Sequence, residues 1–470
     1  MYRTRRYRIR RKRGLWDYSR DICLGSARLY NRANFLVRQY ATACRDWEEM
    51  KPLRENQLTA YRMVMEVTRG TRHEPKGRWL TYKQLDYILK TTNDPAYRAL
   101  PAQANQQILK RILRDYKSFF AALKVYKKHP ELFTGRPKLP KYKKRGRAVT
   151  AVFTNQICRI KKGHYIRFPG TGEMLDLGKV PEGSRLKEAR IKPCHGEFYA
   201  EAVLEFPEGL CSGKGKLTGL DEDALREALD KAGMGAYRVA AIDPGVDNFC
   251  AVANNFGERP FLIKGNMIKS ENRYYNKRLA RLRSEADKCN GGIMTRRIRR
   301  LTARRNRIVK DLMHKASRLI TDWASAHRAD LVVLGHNVFQ KQEINLGHAN
   351  NQAFVQIPYT LFADMLRYKL EEKGIALLLT EESYTSRADF LACDRIPVYG
   401  EEKMGKAKDG ERPGPVFSGR RISRGQYVHY DGTRSNADIN GAANILRKVF
   451  PDLTGWDRGV VDTPYAVRLV

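Results

Sequence analysis

The chain has 470 residues and a formal net charge of +38, from 89 lysines and arginines against 51 aspartates and glutamates. This length exceeds one simple core and predicts two to four domains. So many positive side chains repel one another unless a bound polyanion neutralises them. Nucleic acid is therefore the expected partner. No apolar run approaches the ~20 residues that span a bilayer, and the basic N-terminus lacks the apolar segment of a secretory signal.

The cysteines are spread along the chain and do not form Cys-x-x-Cys pairs, so no zinc knuckle is expected. There are eight of them, at Cys23, Cys44, Cys158, Cys194, Cys211, Cys250, Cys289 and Cys393. A long, lysine-rich chain is also unlike a disulfide-stapled secreted domain. Free thiols in a reducing cytoplasm are therefore the simplest interpretation.

The chain begins with a strand pattern and continues with helices. Residues 1 to about 15 alternate basic with apolar or aromatic positions, as an exposed strand does. Apolar residues then recur at helical spacing from Tyr18 to about Lys127, which predicts an all-helical block with basic outer faces. Arginines of the first strand interleave with aromatic residues and are candidates for phosphate contact; they are Arg3, Arg5, Arg6 and Arg8.

A basic loop and several short strands follow the helices. Residues 134–147 are rich in lysine and arginine and punctuated by proline and glycine, as surface loops are. The strand-like runs indicate a small β-barrel or sheet that the first strand of the chain is expected to join; they lie at 148–154, 165–168, 189–193 and 198–206. Residues 207–235 are expected to form a linker with one helix.

The order of elements changes from Tyr237 onward. We predict strands at 237–243, 248–254 and 260–264, long helices, a strand at 330–334, a helix at 358–373, a strand at 375–381 and a final helix from Asp438. This order is that of an RNase H-like α/β sheet. The inserted helices at 270–327 carry arginine on nearly every face, which favours contact with a nucleic-acid backbone over a merely solvated surface.

Two aspartates are candidate metal ligands. Asp243 ends an apolar strand and precedes Pro-Gly, and ligands of such sheets sit at the carboxyl edge. Asp438 begins a helix of small residues and can point to the same edge. Each alone is explained by turn or N-cap chemistry, but both together in this element order favour a site. Carboxylates holding two Mg²⁺ ions ~3.5–4 Å apart would support phosphodiester hydrolysis.

The third carboxylate is missing from the expected position, because the strand at 330–334 is followed by Gly335. The candidates are Glu343 in the polar loop beyond it, and Glu381 and Glu382 at the end of the neighbouring strand. Adjacent strands lie ~4.8 Å apart, so the neighbour could supply the group. Successive strand residues face opposite ways, which leaves one of the two pointing inward without saying which. The alternative is an inactive site with both glutamates on the surface.

These motifs resemble those of the transposon-encoded TnpB proteins and the compact type V CRISPR effectors over most of the chain. Ile242-Asp243-Pro-Gly-Val is similar to the first RuvC motif, and Asn436-Ala-Asp438-Ile-Asn-Gly to the third. Two further segments resemble the recognition helices and their junction with the wedge domain in that family. They are Leu100-Pro-Ala-Gln103-Ala-Asn-Gln-Gln107 and Gly135-Arg136-Pro-Lys138-Leu-Pro-Lys141-Tyr142-Lys. Tyr384-Thr-Ser386 resembles the entry to the target-nucleic-acid-binding domain.

The chain departs from the family pattern in two places. The second RuvC motif normally ends its strand in glutamate, where Gly335 stands here. A subset with a rearranged site carries the glutamate further on, and Thr380-Glu-Glu fits that subset, which favours Glu381 or Glu382 over Glu343. Most relatives also have a zinc ribbon before the last aspartate. The matching stretch here has Cys393 alone and a basic hairpin with Arg420, Arg421 and Arg424, so no zinc is expected.

The resemblance implies a multidomain α+β fold. A helical recognition lobe and a small β-barrel wedge module precede an RNase H-like (RuvC) α/β domain with inserted helices and a small basic hairpin insert. The implied segments are the first wedge strand (1–15), the helical domain (16–130), the wedge module and linker (131–235), the first part of the RuvC domain (236–384) with arginine-rich helices (270–327), the target-nucleic-acid-binding insert without a zinc ribbon (385–430), and the last part of the RuvC domain with a C-terminal tail (431–470).

The activity that the resemblance implies is that of an RNA-guided DNA endonuclease. Guide RNA would pair with double-stranded target DNA beside a short flanking motif. The RNA–DNA heteroduplex would follow the inserted helices along Arg296, Arg297, Arg300 and Arg304. Asp243, Asp438 and one of Glu381 and Glu382 would hold two Mg²⁺ ions. One or two protomers would bind one RNA in a prokaryotic cytoplasm, without a membrane partner.

Two other functions stay open from the sequence. The chain could be a guided DNA-binding repressor that does not cut, with Asp243 and Asp438 as remnants. It could also be a nonspecific RNA-binding basic protein, although that function leaves the carboxylates at the strand ends unexplained.

Overall fold

The structure is a computed structural model, and it describes residues 2–11, 14–207, 215–232, 236–290, 294–336, 357–398, 416–423, 425–451, 458–461 and 463–469. The chain divides into two compact units, Met1–Glu208 and Gly209–Val470. Within the described ranges, no helix combines the length and the apolar character that crossing a bilayer requires.

The N-terminal unit begins with a strand that is followed by α-helices. They are β1 (Tyr2–Ile9), α1 (Gly14–Glu48), α2 (Glu55–Thr68), α3 (Tyr82–Thr91), α4 (Pro95–Arg98) and α5 (Ala102–Lys128). Apolar residues at helical spacing bury one face of α1 and of α5 in a shared core that includes Leu36 and Ile112. Thr81 and Gln84 form a capping box that fixes the start of α3.

Two antiparallel sheets complete the N-terminal unit. Their strands are β2 (Ala151–Thr154), β3 (Ile160–Lys161), β4 (Tyr165–Arg167), β5 (Met174–Asp176), β6 (Arg185–Cys194) and β7 (Glu197–Glu205). One sheet has the order β1-β7-β6-β2 and the other β3-β4-β5. β1 pairs with β7 from Tyr2 opposite Glu205 to Ile9 opposite Phe198, so the expectation that the first strand joins these strands is confirmed.

A six-stranded sheet of order β12-β11-β8-β9-β10-β16 forms the centre of the C-terminal unit. Its strands are β8 (Val239–Pro244), β9 (Asn248–Asn254), β10 (Phe261–Lys264), β11 (Leu331–Gly335), β12 (Ala376–Thr380) and β16 (Tyr465–Arg468). β8, β11 and β12 run parallel, so their carboxyl ends meet at one edge. Gly335 lies opposite Thr380 in this register.

Helices cover both faces of the sheet. They are α6 (Glu222–Ala232), α7 (Asn266–Asn290), α8 (Arg296–Ala326), α9 (Tyr359–Glu372) and α10 (Ala437–Val449). Alternate strand residues such as Ile242 and Val332 pack with α8 and α9, whereas Ala241 and Val333 pack with α6 and α10. Asp243 and Gly335 continue the second set, so both face α10.

A three-stranded antiparallel sheet lies between β12 and α10 in sequence. Its strands are β13 (Arg420–Ser423), β14 (Gln426–Val428) and β15 (Arg434–Asn436), in the order β13-β14-β15. This is the basic hairpin that the sequence predicts, extended by a third strand that leads into α10.

The strands predicted from Tyr237 onward, the helix at 358–373 and the start of the final helix agree with the structure to within two residues, whereas the first inserted helix begins at Asn266 rather than at 270. The mixed α+β architecture is thus confirmed, while the assignment of recognition, wedge and RuvC segments stays a prediction. The strands of the proposed wedge form two sheets, and their closure into a barrel also stays a prediction. The sequence pattern does not predict β16, which pairs in parallel with β10 at the edge of the large sheet.

Candidate functional site

Asp243 lies at the carboxyl end of β8, where the chain turns sharply into β9. A Cβ atom at Gly245 would lie 2.6 Å from the carbonyl oxygen of Asn248, so the turn requires glycine there. This turn places the Asp243 carboxyl group at the edge where β8, β11 and β12 end. The group faces α10 and is half-buried.

Asp438 lies in the first turn of α10, behind the N-cap residue Asn436. The Asn436 side chain accepts hydrogen bonds from the backbone N–H groups of Asp438 (3.0 Å) and Ile439 (3.3 Å), which fixes where the helix begins. One carboxylate oxygen of Asp438 accepts a 2.6 Å hydrogen bond from the side-chain amide of Asn248. The other accepts from the guanidinium of Arg421 at 3.0 Å.

The helix α10 approaches Asp243 through a glycine. A Cβ atom at Gly441 would lie 2.7 Å from Oδ2 of Asp243, closer than side-chain carbons approach oxygen in folded proteins. Gly441 and its neighbours Ala442 and Ala443 are fully buried. The small residues after Asp438 therefore let the helix lie directly against the Asp243 carboxyl group.

Glu382 occupies the place that a side chain at position 335 would fill. A Cβ atom at Gly335 would lie 2.7 Å from Cγ and 3.0 Å from Oε1 of Glu382, and 2.8 Å from Cδ1 of Ile445. Gly335 pairs with Thr380, the last residue of β12. Glu382 follows two residues after Thr380, and its side chain covers the end of β11. The Glu382 side chain therefore lies where a side chain at position 335 would otherwise be.

Glu381 has different partners. It forms an ion pair with Lys448 near the end of α10, and the backbone N–H of Ser383 donates a 2.6 Å hydrogen bond to it. The Lys448 side chain is buried, with 6% of its surface exposed, whereas that of Glu381 is 34% exposed. This pair ties the end of β12 to α10 while the next residue, Glu382, points toward Gly335.

Two neighbouring carboxylates act electrostatically on Asp243. Burial raises the pKa of Asp243 well above its usual range, and the negative charges of Glu382 and Asp438 raise it further, while Arg421 lowers it. Burial also raises the pKa of Tyr359, and Cys250, Glu382 and Asp243 raise it further; the Tyr359 hydroxyl donates a 2.8 Å hydrogen bond to the carbonyl of Gly245. Buried carboxylates that destabilise one another in this way favour a bound cation.

The donor set fits a hard divalent cation in chemistry, because carboxylate oxygens are the ligands that Mg²⁺ prefers. Gly335 and Gly441 leave the space that two of these carboxylates fill. Within the described ranges, no three His, Cys, Asp or Glu side chains have the spacing that a metal ion requires. Asp438 is bonded to Arg421 here, so an ion would have to replace that contact. Glu343 lies outside the described residues.

The arginines of β1 are engaged in contacts within their own unit. Arg6 stacks on the ring of Tyr199 at 4.0 Å and lies 3.6 Å from the Glu201 carboxylate. Arg8 forms an ion pair with Glu197, Arg5 donates to the carbonyls of Leu177 and Lys179, and Arg3 lies over the ring of Phe206. These side chains hold β1 to its neighbours, which the charge pattern alone could not indicate.

The other predicted nucleic-acid residues differ in their environment. Gln103 bonds Thr154 and Gln156. Gln107 lines a cavity of about 1020 Å³ together with basic residues of α5. The remaining predicted positions are exposed on the basic loop and on α8; they are Arg136, Lys138, Lys141, Tyr142, Arg296, Arg297, Arg300 and Arg304. Exposed arginines along one helix suit backbone phosphates.

On the hairpin, Arg420 and Arg421 are exposed residues of β13, and Arg421 reaches Asp438. Arg424 lies outside the described residues. Sequence reasoning missed two further residues that shape the site, Asn248 and Lys448. Asn248 begins β9 immediately after the Asp-Pro-Gly turn, which is the one signal that could have identified it.

Comparison with sequence families identifies two stretches of the chain. Residues 236–338 match the OrfB_IS605 family, described as a probable transposase. Residues 359–445 match the TNB domain of the Cas12f1-like family. The resemblance to TnpB-like transposases and type V effectors is confirmed over these stretches, which contain Asp243, Glu382 and Asp438. No curated protein sequence matches the chain.

Several solved structures are similar to the chain at low identity. A Cas12f1 complex with sgRNA and target DNA is 15% identical, over 95% of this chain and 98% of that chain, with a TM-score of 0.30. A CRISPR-Cas12f ternary complex is 13% identical, over 93% and 82%, with a TM-score of 0.32. C2c1 of Alicyclobacillus acidoterrestris with single-guide RNA is 12% identical, over 89% and 66%, with a TM-score of 0.30. Similarity of this size decides neither fold nor function.

Proposed function

We propose that this chain is an RNA-guided DNA endonuclease whose RuvC-type site consists of Asp243, Glu382 and Asp438. One observation carries the proposal: the Glu382 side chain fills the space above Gly335, at the strand end where the third carboxylate of such a site is expected. An inactivated site would have no reason to restore that carboxylate from a neighbouring strand. The two family matches, which cover the strands and the helix that bear these residues, support the same conclusion.

The chain's own residues would prepare the site for phosphodiester hydrolysis. Two Mg²⁺ ions held by these carboxylates would activate a water and stabilise the leaving oxygen. Asn248 holds one oxygen of Asp438 in place, and the ammonium group of Lys264 donates a 2.9 Å hydrogen bond to the side-chain oxygen of Asn248. The packing of Gly441 against Asp243 fixes the distance between helix and strand.

Arg421 would have two roles in this proposal. In the structure it neutralises Asp438 at a surface that a DNA strand must reach. If Asp438 held a cation, the Arg421 guanidinium could instead bind a phosphate of the strand to be cut. The exposed arginines of α8 would bind the backbone of the RNA–DNA heteroduplex. The resemblance to TnpB proteins is the reason to expect a guide RNA.

A guided DNA binder that does not cut is the second candidate. The contact between Arg421 and Asp438 favours it, because an arginine can substitute permanently for a cation among carboxylates. In that protein Glu382 would serve only to fill the space above Gly335.

Cleavage by the purified protein–RNA complex distinguishes the two. The complex is given Mg²⁺ and a plasmid with a guide-matched target beside randomised bases, and Asp243→Ala is run in parallel. We expect linear product from the wild type and at least about 1000-fold less from Asp243→Ala, because several kcal/mol of metal-assisted stabilisation are lost at 1.36 kcal/mol per tenfold. Guide-RNA binding should be unchanged in the variant.

Two outcomes would contradict the endonuclease. Guide-dependent DNA binding without cutting by the wild type would leave the guided binder. RNA binding without any dependence on a matched guide would leave a nonspecific basic protein.

A further inference from the structure

A buried chain of hydrogen bonds runs through the hairpin insert, in a place that the proposed chemistry does not use. The Nδ1 atom of His429 lies 2.6 Å from a carboxylate oxygen of Asp389, and its Nε2 atom lies 2.7 Å from the hydroxyl of Ser435. The side chains of Asp389 and His429 are 0% and 1% exposed. We call Asp389, His429 and Ser435 the polar relay.

The bonding of Asp389 fixes the direction of the relay. The carboxylate also accepts hydrogen bonds from the backbone N–H groups of Tyr430 (2.7 Å), Leu391 (2.9 Å) and Ala392 (3.4 Å). Burial raises the pKa of Asp389, but the bonds from His429 and Tyr430 outweigh it and hold the pKa below its usual value. An ionised carboxylate can only accept, so the proton of this bond lies on Nδ1 of His429, and the Nε2 atom of the ring is bonded to the hydroxyl of Ser435.

The relay ends next to the candidate site. Ser435 lies in β15, opposite Tyr427 of β14, and the next residue is the N-cap of α10. Asp438 follows three residues after Ser435. Tyr427 also lies opposite Arg421 of β13. The strands that the relay holds therefore carry both partners of the contact between Arg421 and Asp438.

At its other end the relay is fixed to α10 itself. The loop that contains Asp389 is bonded by Asn440, whose side-chain amide donates to the carbonyl of Ala388 at 2.9 Å and accepts from the N–H of Phe390 at 3.1 Å. The hydroxyl of Tyr427 donates a 2.8 Å bond to the carbonyl of Arg387. The relay thus joins the loop after β12, the small sheet and the start of α10 into one bonded unit.

We propose that Asp389 and His429 are positioning residues of the nuclease site, which act through Ser435 to hold Asp438 and the strand of Arg421 at the carboxylate cluster. This inference rests on the proposed function. A displacement of about 1 Å at reacting groups can lower a rate by about 100-fold, so a relay that fixes one residue pair can control turnover without touching DNA.

The same three side chains have the connectivity of a hydrolase triad, but their setting is structural. Ser435 is a strand residue paired with Tyr427, and its hydroxyl points to the buried imidazole between β14 and α10. The hydroxyl bonds the sheet to the relay, and a substrate has no comparable access to the fully buried carboxylate behind it.

The test removes only the last link of the relay. Ser435→Ala loses the hydroxyl that His429 binds and leaves the Asp389–His429 bond in place, Ser435→Thr restores a hydroxyl, and Thr433→Ala is the matched control. The Thr433 hydroxyl bonds Asp431 at 2.6 Å, in the same hairpin but outside the relay. Cutting is measured at saturating guide-matched DNA, together with the Kd of the guided complex for DNA.

We expect Ser435→Ala to lower the rate of cutting by about tenfold while the Kd changes less than about twofold, because positioning affects turnover more than binding. Ser435→Thr should recover most of the rate, and Thr433→Ala should match the wild type. Wild-type cutting by Ser435→Ala would overturn the proposal, and so would a parallel loss of cutting and binding, which indicates a structural role alone.

Hydrogen exchange separates this proposal from the proposed function. The backbone N–H groups of Asp438 and Ile439 bond Asn436 at the start of α10. In the full chain bound to guide RNA, Ser435→Ala should speed their exchange about tenfold, with Ser435→Thr and Thr433→Ala like the wild type. If the wild type does not cut, the endonuclease fails while this result still supports the relay. Unchanged exchange at Asp438 and Ile439 in Ser435→Ala overturns the relay whether or not the protein cuts.

Discussion

The strands β11 and β12 lie side by side, run in the same direction and end at the same edge of the sheet, yet their ends differ. β11 ends in Gly335, which has no side chain to offer. β12 continues into two glutamates, of which Glu382 covers Gly335 and Glu381 is bonded to Lys448 of α10. Adjacent parallel strands end close together, so either of the two can supply the side chain that occupies a given place at the edge of the sheet.

The largest expected effect comes from exchanging the two glutamates one at a time. Glu382→Gln keeps the volume above Gly335 and removes the charge, so cutting should fall by about 1000-fold, for the same reason as at Asp243. Glu381→Gln is the matched control. Glu381 is bonded to Lys448 and does not cover Gly335, so cutting should fall less than about fivefold. Both rates come from the plasmid assay, and equal losses would refute the difference between the two positions.

A second prediction moves the carboxylate back to β11. Gly335→Glu in the otherwise unchanged chain should lower cutting by about 100-fold, because its Cβ atom would displace Glu382 from a contact of 2.7 Å. In the Glu382→Ala background, the glutamate introduced at position 335 can occupy the space that the Glu382 side chain fills in the wild type. The double variant should then cut about tenfold faster than Glu382→Ala alone.

The measurement for this pair is the rate of each variant at saturating DNA, with Tm as a control for folding. If Gly335→Glu is equally harmful in both backgrounds, the two strand ends are not interchangeable, and the crowding by Ile445 at 2.8 Å is the cause to examine next.

A smaller effect is expected where α10 meets the edge that the strands share. Alanine is preferred to glycine within helices by ~1 kcal/mol, so Gly441→Ala should not lower stability through the helix itself. Its Cβ atom would stand 2.7 Å from Oδ2 of Asp243, however, and the carboxylate must shift. We expect cutting to fall by about tenfold with little change in Tm.

Gly425→Ala is the control for this substitution, since nothing lies within 4 Å of a Cβ atom at that exposed position. Cutting by Gly441→Ala at the wild-type rate would show that the helix can retreat without moving Asp243.

The smallest effect concerns α9, the helix between β11 and β12 in the chain. The ammonium group of Lys369, a residue only 8% exposed, donates to the carbonyl of His314 at 2.7 Å and to the hydroxyl of Ser317 at 2.6 Å. Burial, and then the charge of Arg318, lower the pKa of Lys369 to about 8 against the opposing charges of Glu372 and Asp322. Between pH 8 and about 10.5 the unfolded chain binds more protons than the folded one, so this group's contribution to stability rises with pH.

Lys369→Met should therefore have a higher Tm than the wild type at pH 7. The difference in Tm between the two proteins should be smaller, or absent, at pH 10. The exposed Lys373→Met serves as the control and should show no such trend. Lys369 also lowers the pKa of His314, which burial already lowers, so that histidine should titrate at higher pH in the Met variant. Calorimetry at the two pH values and NMR titration of His314 check both points; a constant difference in Tm would contradict the assigned shift.

The sequence predicts the large sheet well because its strands are apolar and end in turn or acidic residues. β8 and β12 are examples: each is a short apolar run followed at once by carboxylates. It does not predict β16, because Tyr465–Arg468 is short, mostly exposed and defined by its pairing with β10. That pairing depends on tertiary structure, which local patterns do not contain.

The choice between Glu381 and Glu382 shows where pattern reasoning stops. Alternation along a strand selects one of them only if the inward face is known, and Ala376-Leu-Leu-Leu gives no polar residue to mark the outward face. The structure sets the face through α10, whose Lys448 binds Glu381 from 67 residues away. The polar relay could not be predicted from the sequence for the same reason, because Asp389 and His429 come into contact only after the insert has folded.

The arginines of β1 have a consequence for how strongly the chain responds to ionic strength. Salt weakens nucleic-acid binding in proportion to the number of phosphates neutralised, because each contact releases condensed counterions. Arg6 and Arg8 already face Glu201 and Glu197, so each must leave a carboxylate before it can gain a phosphate. Neither arginine should therefore add to the slope of log K against log salt concentration unless it exchanges its carboxylate for a phosphate. Removing Glu197 and Glu201 should make it steeper without adding a single cation.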